Sequence, residues 1–343
     1  MGIQTQQTIK KENREKMKLT KLIILSIIIL FISCSKKENN NQLIIYTSID
    51  QIFSSKIIKE FKQKSGIDVK VLYDTEASKA VGLEKRLLAE KKHPRADIFW
   101  NSEFMRMARL DKAGLFASYK KENLHYTKEY YYSKEHKWHG VGIRSRVFVV
   151  NKNLMKKEEY PNRLEDLTNP KYRGKVAISL PYMGTASTHF SALYLKLGAE
   201  KFRAFIQKLK ENRVALLAGN SVVKDAVGRG EFLFGLVDSD DALVGIESGL
   251  PIDMVYYDQQ GDGVFSIFGT VAMLKNAPHP KNAKLFIDYL LTKETEQRLI
   301  ELKAVQYGLI DGEKMPYRSW SKRPSLLVES LRGSVEIMKG IFE

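Results

Sequence analysis

Three carboxylates fall within four residues at Asp238, Asp240 and Asp241, directly after the apolar run 232–237. Carboxylates this close repel one another unless a cation, hydrogen-bond donors or water compensate them, so the cluster marks a binding site or an exposed acidic helix start. Three more polar loops follow short apolar runs: Thr47, Ser48 and Asp50; then Asp74 and Glu76; then Asn101 and Glu103. Each acid taken singly suits the first turn of a helix. Three such loops in one half of a sheet point to a shared site. A second set of residues could donate. Gly184, Thr185 and Ser187 precede a helical run, as does Ser221, and free N–H groups and hydroxyls there would form an anion or polyol cradle. Arg144 and Arg146 share one face of a strand, either as surface charges or as donors to carboxylate or phosphate.

These residues need a frame. The run 43–46 reads as a compact strand. In the stretch 50–64 that follows, Ile52, Phe53, Ile57, Ile58 and Phe61 recur at helical spacing, and Gly66 closes the turn. Ile67, Val69, Val71 and Tyr73 then alternate as a strand does. A helix over 78–92, broken by Pro94, and a buried strand over 96–100 complete an α/β unit with parallel pairing. Strands over 146–150, 175–180 and 232–237 repeat the pattern, with helices from about 188 to 197 and from 219 to 230. The apolar strand 264–274 returns toward the first half, and the remainder reads as surface helices, including 283–291 and 293–303. In such sheets ligands collect beyond the carboxyl ends of the strands, which is where the polar loops lie.

Length and charge narrow the classes. At 343 residues the chain can build about two cores. One cysteine excludes an internal disulfide framework and Cys-rich zinc modules. That cysteine, Cys34, follows an apolar run of twelve residues flanked by Lys18 and Lys21, too short to span a bilayer and shaped like a secretory signal. Phe31-Ile32-Ser33-Cys34 resembles a bacterial lipobox, so residues 1–33 are expected to be a signal peptide, with Met17 as a candidate true start. Residues 34–42 then form a lipidated tether. Without residues 1–33 the formal charge falls from +16 to +12. Its lysines and arginines are spread over helix faces rather than gathered in one stripe, which argues against a nucleic-acid partner.

The residues also carry a family resemblance. Tyr46-Thr47-Ser48-Ile49-Asp50, the stretch from Ala96-Asp97 to Ser102-Glu103, Gly140-Val141-Gly142-Ile143-Arg144-Ser145-Arg146, the stretch from Phe234-Gly235 to Asp241-Ala242, and Ala277-Pro278-His279-Pro280 occur in order. They resemble the periplasmic substrate-binding proteins of ABC importers, in the branch related to ferric-iron-binding proteins. The resemblance implies a type II periplasmic-binding-protein fold: two α/β lobes joined by two crossing strands, with the ligand clamped in the cleft by hinge closure. Lobe one is expected at 43–145 plus 265–343 and lobe two at 146–264. It further implies a monomer that serves an ABC permease and its ATPase from the periplasm or cell surface, with no resident cofactor. The iron binders of that family place adjacent tyrosines where this chain has Asp240 and Asp241. Tyr256-Tyr257 follows a later strand and reads as hinge packing.

Three functions remain in view. The first is a lipid-anchored binding protein for ferric iron, using some of Asp50, Glu103, Asp238, Asp240 and Asp241, since carboxylates are hard oxygen donors. The second keeps the transport role for a small organic ligand: a sugar phosphate, phosphonate or polyol. Arg144, Arg146, Thr185, Ser187 and Ser221 would then donate while the aspartates accept hydroxyls. The third, an exported hydrolase, lacks a Gly-x-Ser-x-Gly elbow, a His-Glu-x-x-His helix and a phosphate-binding Gly-x-x-x-x-Gly-Lys loop, so no enzyme is expected. His136 and His139 read as an exposed turn rather than a ligand pair.

Overall fold

In the first half of the sheet, β1 (Gln42–Thr47) lies between β2 (Asp68–Tyr73) and β3 (Ile98–Asn101), parallel to both. The computed structural model describes residues 41–74, 81–310, 312 and 314–343, with Gly2 and Met17. The expected signal peptide and its cleavage site, Cys34, most of the tether and Glu76 lie outside the described residues. Helix α1 (Gln51–Ser65) follows β1 and buries Phe53, Ile57, Ile58 and Phe61 of the stripe its spacing predicts, while Ile52 stays exposed. Gly66, at φ +70°, ends it in the left-handed conformation and donates its N–H to the Lys62 carbonyl.

Two long strands cross between the halves. β4 (His139–Asn151) pairs antiparallel with β9 (Val264–Met273) from His139 to Ser145, then changes partner and runs antiparallel to β7 (Phe234–Asp238) from Arg146 to Val150. β9 in turn pairs with β3, so it ties the first half together. Beyond β7 lie β5 (Val176–Ser179) and β6 (Ala215–Leu217), both parallel additions, while β8 (Ile252–Val255) adds to the end of β4. The result is two α/β lobes joined by β4 and β9.

Alternation at period two gives each half a core on both faces. In lobe two, Phe148 and Val150 join Val176, Phe234 and Phe202 on one side, while Val147 and Val149 join Val223, Val227 and Val237 on the other. A fully buried Phe or Val of this kind contributes about 1.5–3 kcal/mol. Helices α2 (Val81–Ala89), α3 (Met105–Lys112), α8 (Pro280–Leu290) and α9 (Lys293–Glu301) cover lobe one; α4 (Gly184–Leu197), α5 (Ala199–Glu211), α6 (Asn220–Gly228) and α7 (Ser239–Glu247) cover lobe two.

The last helix departs from the expected partition. Helix α10 (Pro324–Phe342) sends Leu327 and Leu331 into the core that holds α3, but Ile337, Met338 and Ile341 into the core of lobe two. A 19-residue helix is about 28 Å long, enough to lean on both halves. The chain from 265 to 343 is therefore not confined to lobe one. Among the described residues no helix is long and apolar enough to cross a membrane.

Candidate functional site

The carboxyl end of β7 delivers Asp238, and α7 begins at the next residue, so Asp240 and Asp241 occupy its first turn, where the helix dipole favours negative charge. Because Arg146 lies opposite Asp238 in the antiparallel register, the two side chains meet: Arg146 Nη1 is 2.7 Å from Asp238 Oδ1. Arg146 is fully buried, and it also donates to Asn220 Oδ1 (3.0 Å) and the Leu236 carbonyl (3.3 Å). Two residues earlier on the same strand, Arg144 reaches Asp240 Oδ2 at 3.4 Å and Asp238 Oδ2 at 3.6 Å, and donates Nη2 to the Ser102 carbonyl of lobe one at 2.7 Å. One arginine thus touches both halves of the molecule.

Charge balance follows from this geometry. Burial by itself would raise the Asp238 carboxyl, but Arg146 and Arg144 outweigh it and hold the group below its ordinary value; the Thr185 hydroxyl bonds it too. Burial would likewise lower Arg144, yet Asp240, Asp238, Asp50 and Asp241 together raise it. Asp50 precedes α1 without making a side-chain cap, and its charge is felt at Arg144. Oxygen atoms of Asp238, Asp240 and Asp241 lie within 4.8 Å of one another.

The donor set also converges. Gly184 opens α4 at φ +47°, which sets Thr185 and Ser187 inside the helix's first turn rather than ahead of it. Asn220, the first residue of α6, accepts from Arg146 and from Ser179 Oγ (2.9 Å) and donates Nδ2 to Thr185 Oγ1 (3.3 Å). Among the described residues neither Met183 before α4 nor Gly219 before α6 makes a side-chain cap, so the helix starts offer N–H groups to a ligand. Ser221 lies in the first turn of α6.

Other expected residues turn inward. Glu103, read as a cation ligand, is fully buried and accepts from the backbone N–H groups of Met105 (2.5 Å) and Arg106 (3.0 Å) at the start of α3. Its Oε2 also accepts from Thr188 Oγ1 (2.8 Å) across the cleft, and burial pushes its carboxyl upward. Ser48 donates to Asn101 Oδ1 at 2.6 Å, Asn101 donates to the Glu103 carbonyl at 2.5 Å, and Thr47 Oγ1 accepts from the Ile49 N–H. The first of these ties the end of β1 to that of β3, and the other two fix each end locally. Asp74 ends β2, tied by its N–H to the Thr47 carbonyl. His136 and His139 stack on one another, and His139 Nε2 lies 2.8 Å from the Tyr119 carbonyl. Tyr256 stacks on Tyr317 with centroids 4.0 Å apart, while Tyr257 is core.

Arg106 and Asn220 belong to the site although no sequence-based expectation names them. Arg106 lies on α3 in the apolar run Phe104-Met105-Arg106-Met107, is nearly fully buried, pairs with Glu84 at 2.8 Å, and reaches Ser187 Oγ (3.3 Å) and the Tyr182 carbonyl (3.4 Å) in lobe two. An arginine inside an apolar stripe is the signal that marks it.

Two α/β lobes, two crossing strands and a polar cleft at the strand ends define a type II periplasmic binding protein. The chain belongs to the bacterial extracellular solute-binding protein family, whose model matches residues 56–308. It is 26% identical over 272 residues to the Fe(3+)-binding periplasmic protein of Serratia marcescens, covering 78% of each chain. Among solved structures it superposes on iron-bound HitA from Pseudomonas aeruginosa with a TM-score of 0.78 at 22% identity, over 88% of this chain and 99% of that one. AfuA from Actinobacillus pleuropneumoniae, with exogenous fructose-6-phosphate bound, gives a TM-score of 0.72 at 22% identity over 87% and 97%. The family and these relatives are binding proteins.

Proposed function

We propose that the chain is the solute-capturing lipoprotein of an ABC importer, held by a lipid at Cys34 outside the cytoplasmic membrane, and that its cargo is a small organic compound. It acts as a monomer, closes on its ligand and presents the closed form to a permease driven by an ATPase. Lobe one comprises 43–145 and the chain from 265, lobe two 146–264, with α10 bracing both. The observation that carries the ligand reading is the Arg144 guanidinium among the aspartates. Two arginines already offset most of the charge of Asp238, Asp240 and Asp241, so the cluster has little call for a bare trivalent ion. Carboxylates paired in this way accept hydroxyl or ammonium donors, while the uncapped starts of α4 and α6, with Thr185 and Asn220, suit a phosphate or phosphonate. The buried Arg144 Nε–H meets no acceptor among the described residues, which gives a ligand oxygen a place. Sugar phosphates, phosphonates and polyols meet these demands.

Ferric iron is the second reading, favoured by the three carboxylates within 4.8 Å and by the iron-binding relative at 26% identity. It lacks the adjacent tyrosines that the resemblance leads one to expect at 240 and 241. A thermal-shift panel of ferric citrate, fructose 6-phosphate, 2-aminoethylphosphonate and polyols separates the two, because a ligand closed into the cleft stabilises the fold by about 2.7 kcal/mol at a hundredfold excess over Kd. A shift with organic compounds only is expected; a shift with ferric citrate only would overturn the organic reading.

A further inference from the structure

Strand β4 carries an irregularity just before Arg144. Val141 faces Gly269, but Ile143 faces Phe268, so Gly142 is an extra residue in the ladder, at φ +57°. The two residues flanking it, which a regular strand would put on one face, lie on opposite faces. Val141 joins the core of Ile45 and Val271, and Ile143 that of Phe268 and Leu309. Without this parity change Arg144 would stand on the Phe268 face, away from the aspartates. A neighbouring segment holds the bulge in place. Ile143 donates its N–H to the Tyr307 carbonyl and accepts from Gln306 N–H, both at 2.8 Å, and a Cβ at position 142 would stand 2.5 Å from Val305 Cγ1.

The geometry points to Arg144 as a specificity-determining residue, a built-in counter-ion set by the Gly142 bulge that keeps bare cations out of the Asp238, Asp240 and Asp241 cluster. The inference rests on the reading of this cleft as the ligand site. Its guanidinium lies 3.4 Å from Asp240 and 3.6 Å from Asp238, within the space a metal ion would need to reach the same oxygens. A cation entering there must displace a positive charge or endure it at close range, a penalty that is large at the effective dielectric of a buried site.

Terbium, a hard trivalent ion, is the probe, titrated calorimetrically against the whole protein. Wild type should show only weak binding that Asp240→Asn with Asp241→Asn leaves unchanged. Arg144→Gln should bind terbium at least about tenfold tighter, and adding Asp240→Asn should abolish the gain, whereas Arg144→Lys, which keeps the charge, should stay as refractory as wild type. No gain in folded Arg144→Gln, or wild-type binding that Asp240→Asn removes, would overturn the inference. The second comparison stands even if Arg144→Gln fails to fold. Neither outcome depends on the organic panel, so a panel with no hit would count against the cargo reading alone.

Discussion

Replacing Arg146 by Met should be among the most costly single changes in the cleft. Arg146 is fully buried and makes a 2.7 Å ion pair with Asp238, which is itself almost entirely out of solvent. Removing one partner of such a pair leaves a buried charge without its counter-charge, a loss of about 3–5 kcal/mol. Arg144 still stands 3.6 Å from Asp238, so the lower end, about 3 kcal/mol, is expected. Asn220 keeps its bond from Ser179 and needs no new partner. In Arg146→Met with Asp238→Asn the orphaned charge is gone, and most of the loss should be recovered, giving a coupling of roughly 2 kcal/mol between the sites. Urea unfolding followed by tryptophan fluorescence measures wild type, Arg146→Met, Asp238→Asn and the double variant. A cost below about 1 kcal/mol for Arg146→Met, or strict additivity in the double variant, would refute the reasoning. The pH dependence carries a fixed sign as well. Asp238 titrates below its ordinary value in the folded protein, so its stabilisation is complete above the unfolded value and is lost as pH falls through the folded one. In Arg146→Met that acid limb should shrink.

Other expectations follow from single contacts. His189 is fully buried against Phe265 at 5.1 Å, with neither ring nitrogen bonded among the described residues, and burial holds it well below the usual histidine value; His139 is lowered to about 4. The unfolded chain takes up protons that these two refuse, so stability should decline below about pH 6.5 by up to roughly 1.4 kcal/mol per pH unit for each, and His189→Phe should flatten the decline in melting temperature between pH 7 and 5. Gly142→Ala should cost about 2–4 kcal/mol from its positive φ and the overlap with Val305, and Val305→Ala should return only the overlap part in urea unfolding. Thr188→Val removes a donor from buried Glu103 and should cost about 1–2 kcal/mol; no change would show that Glu103 does not need its cross-cleft partner.

Local regularity decides which elements are legible in the sequence. The stripe from Phe53 to Phe61 and the stop at Gly66 give α1 to within a residue because helix periodicity and left-handed glycine are both short-range effects. The first half of β4 escaped because Gly140 and Gly142 interrupt its pattern and the bulge breaks the alternation that identifies a strand. In the site, the aspartates announced themselves by crowding within four residues. The inward turn of Glu103 had a local sign, two N–H groups two and three residues ahead, and the bland reading of that acid as a helix-start carboxylate describes it. Its bond to Thr188 and the reach of Arg106 to Ser187 span more than eighty residues of chain, where nothing in spacing can point. The double allegiance of α10 was equally hidden, since an amphipathic stripe specifies a buried face but not which core receives it.

The central claim is that the cleft between Arg144 and the Asp238 cluster takes an organic solute. Calorimetric titration of wild type and of Asp240→Ala with Asp241→Ala, using fructose 6-phosphate, 2-aminoethylphosphonate and ferric citrate, tests it most directly. The account predicts saturable one-to-one binding of a phosphorylated compound that the double variant loses while remaining folded. Tight binding of ferric iron alone, lost in the same variant, would contradict it.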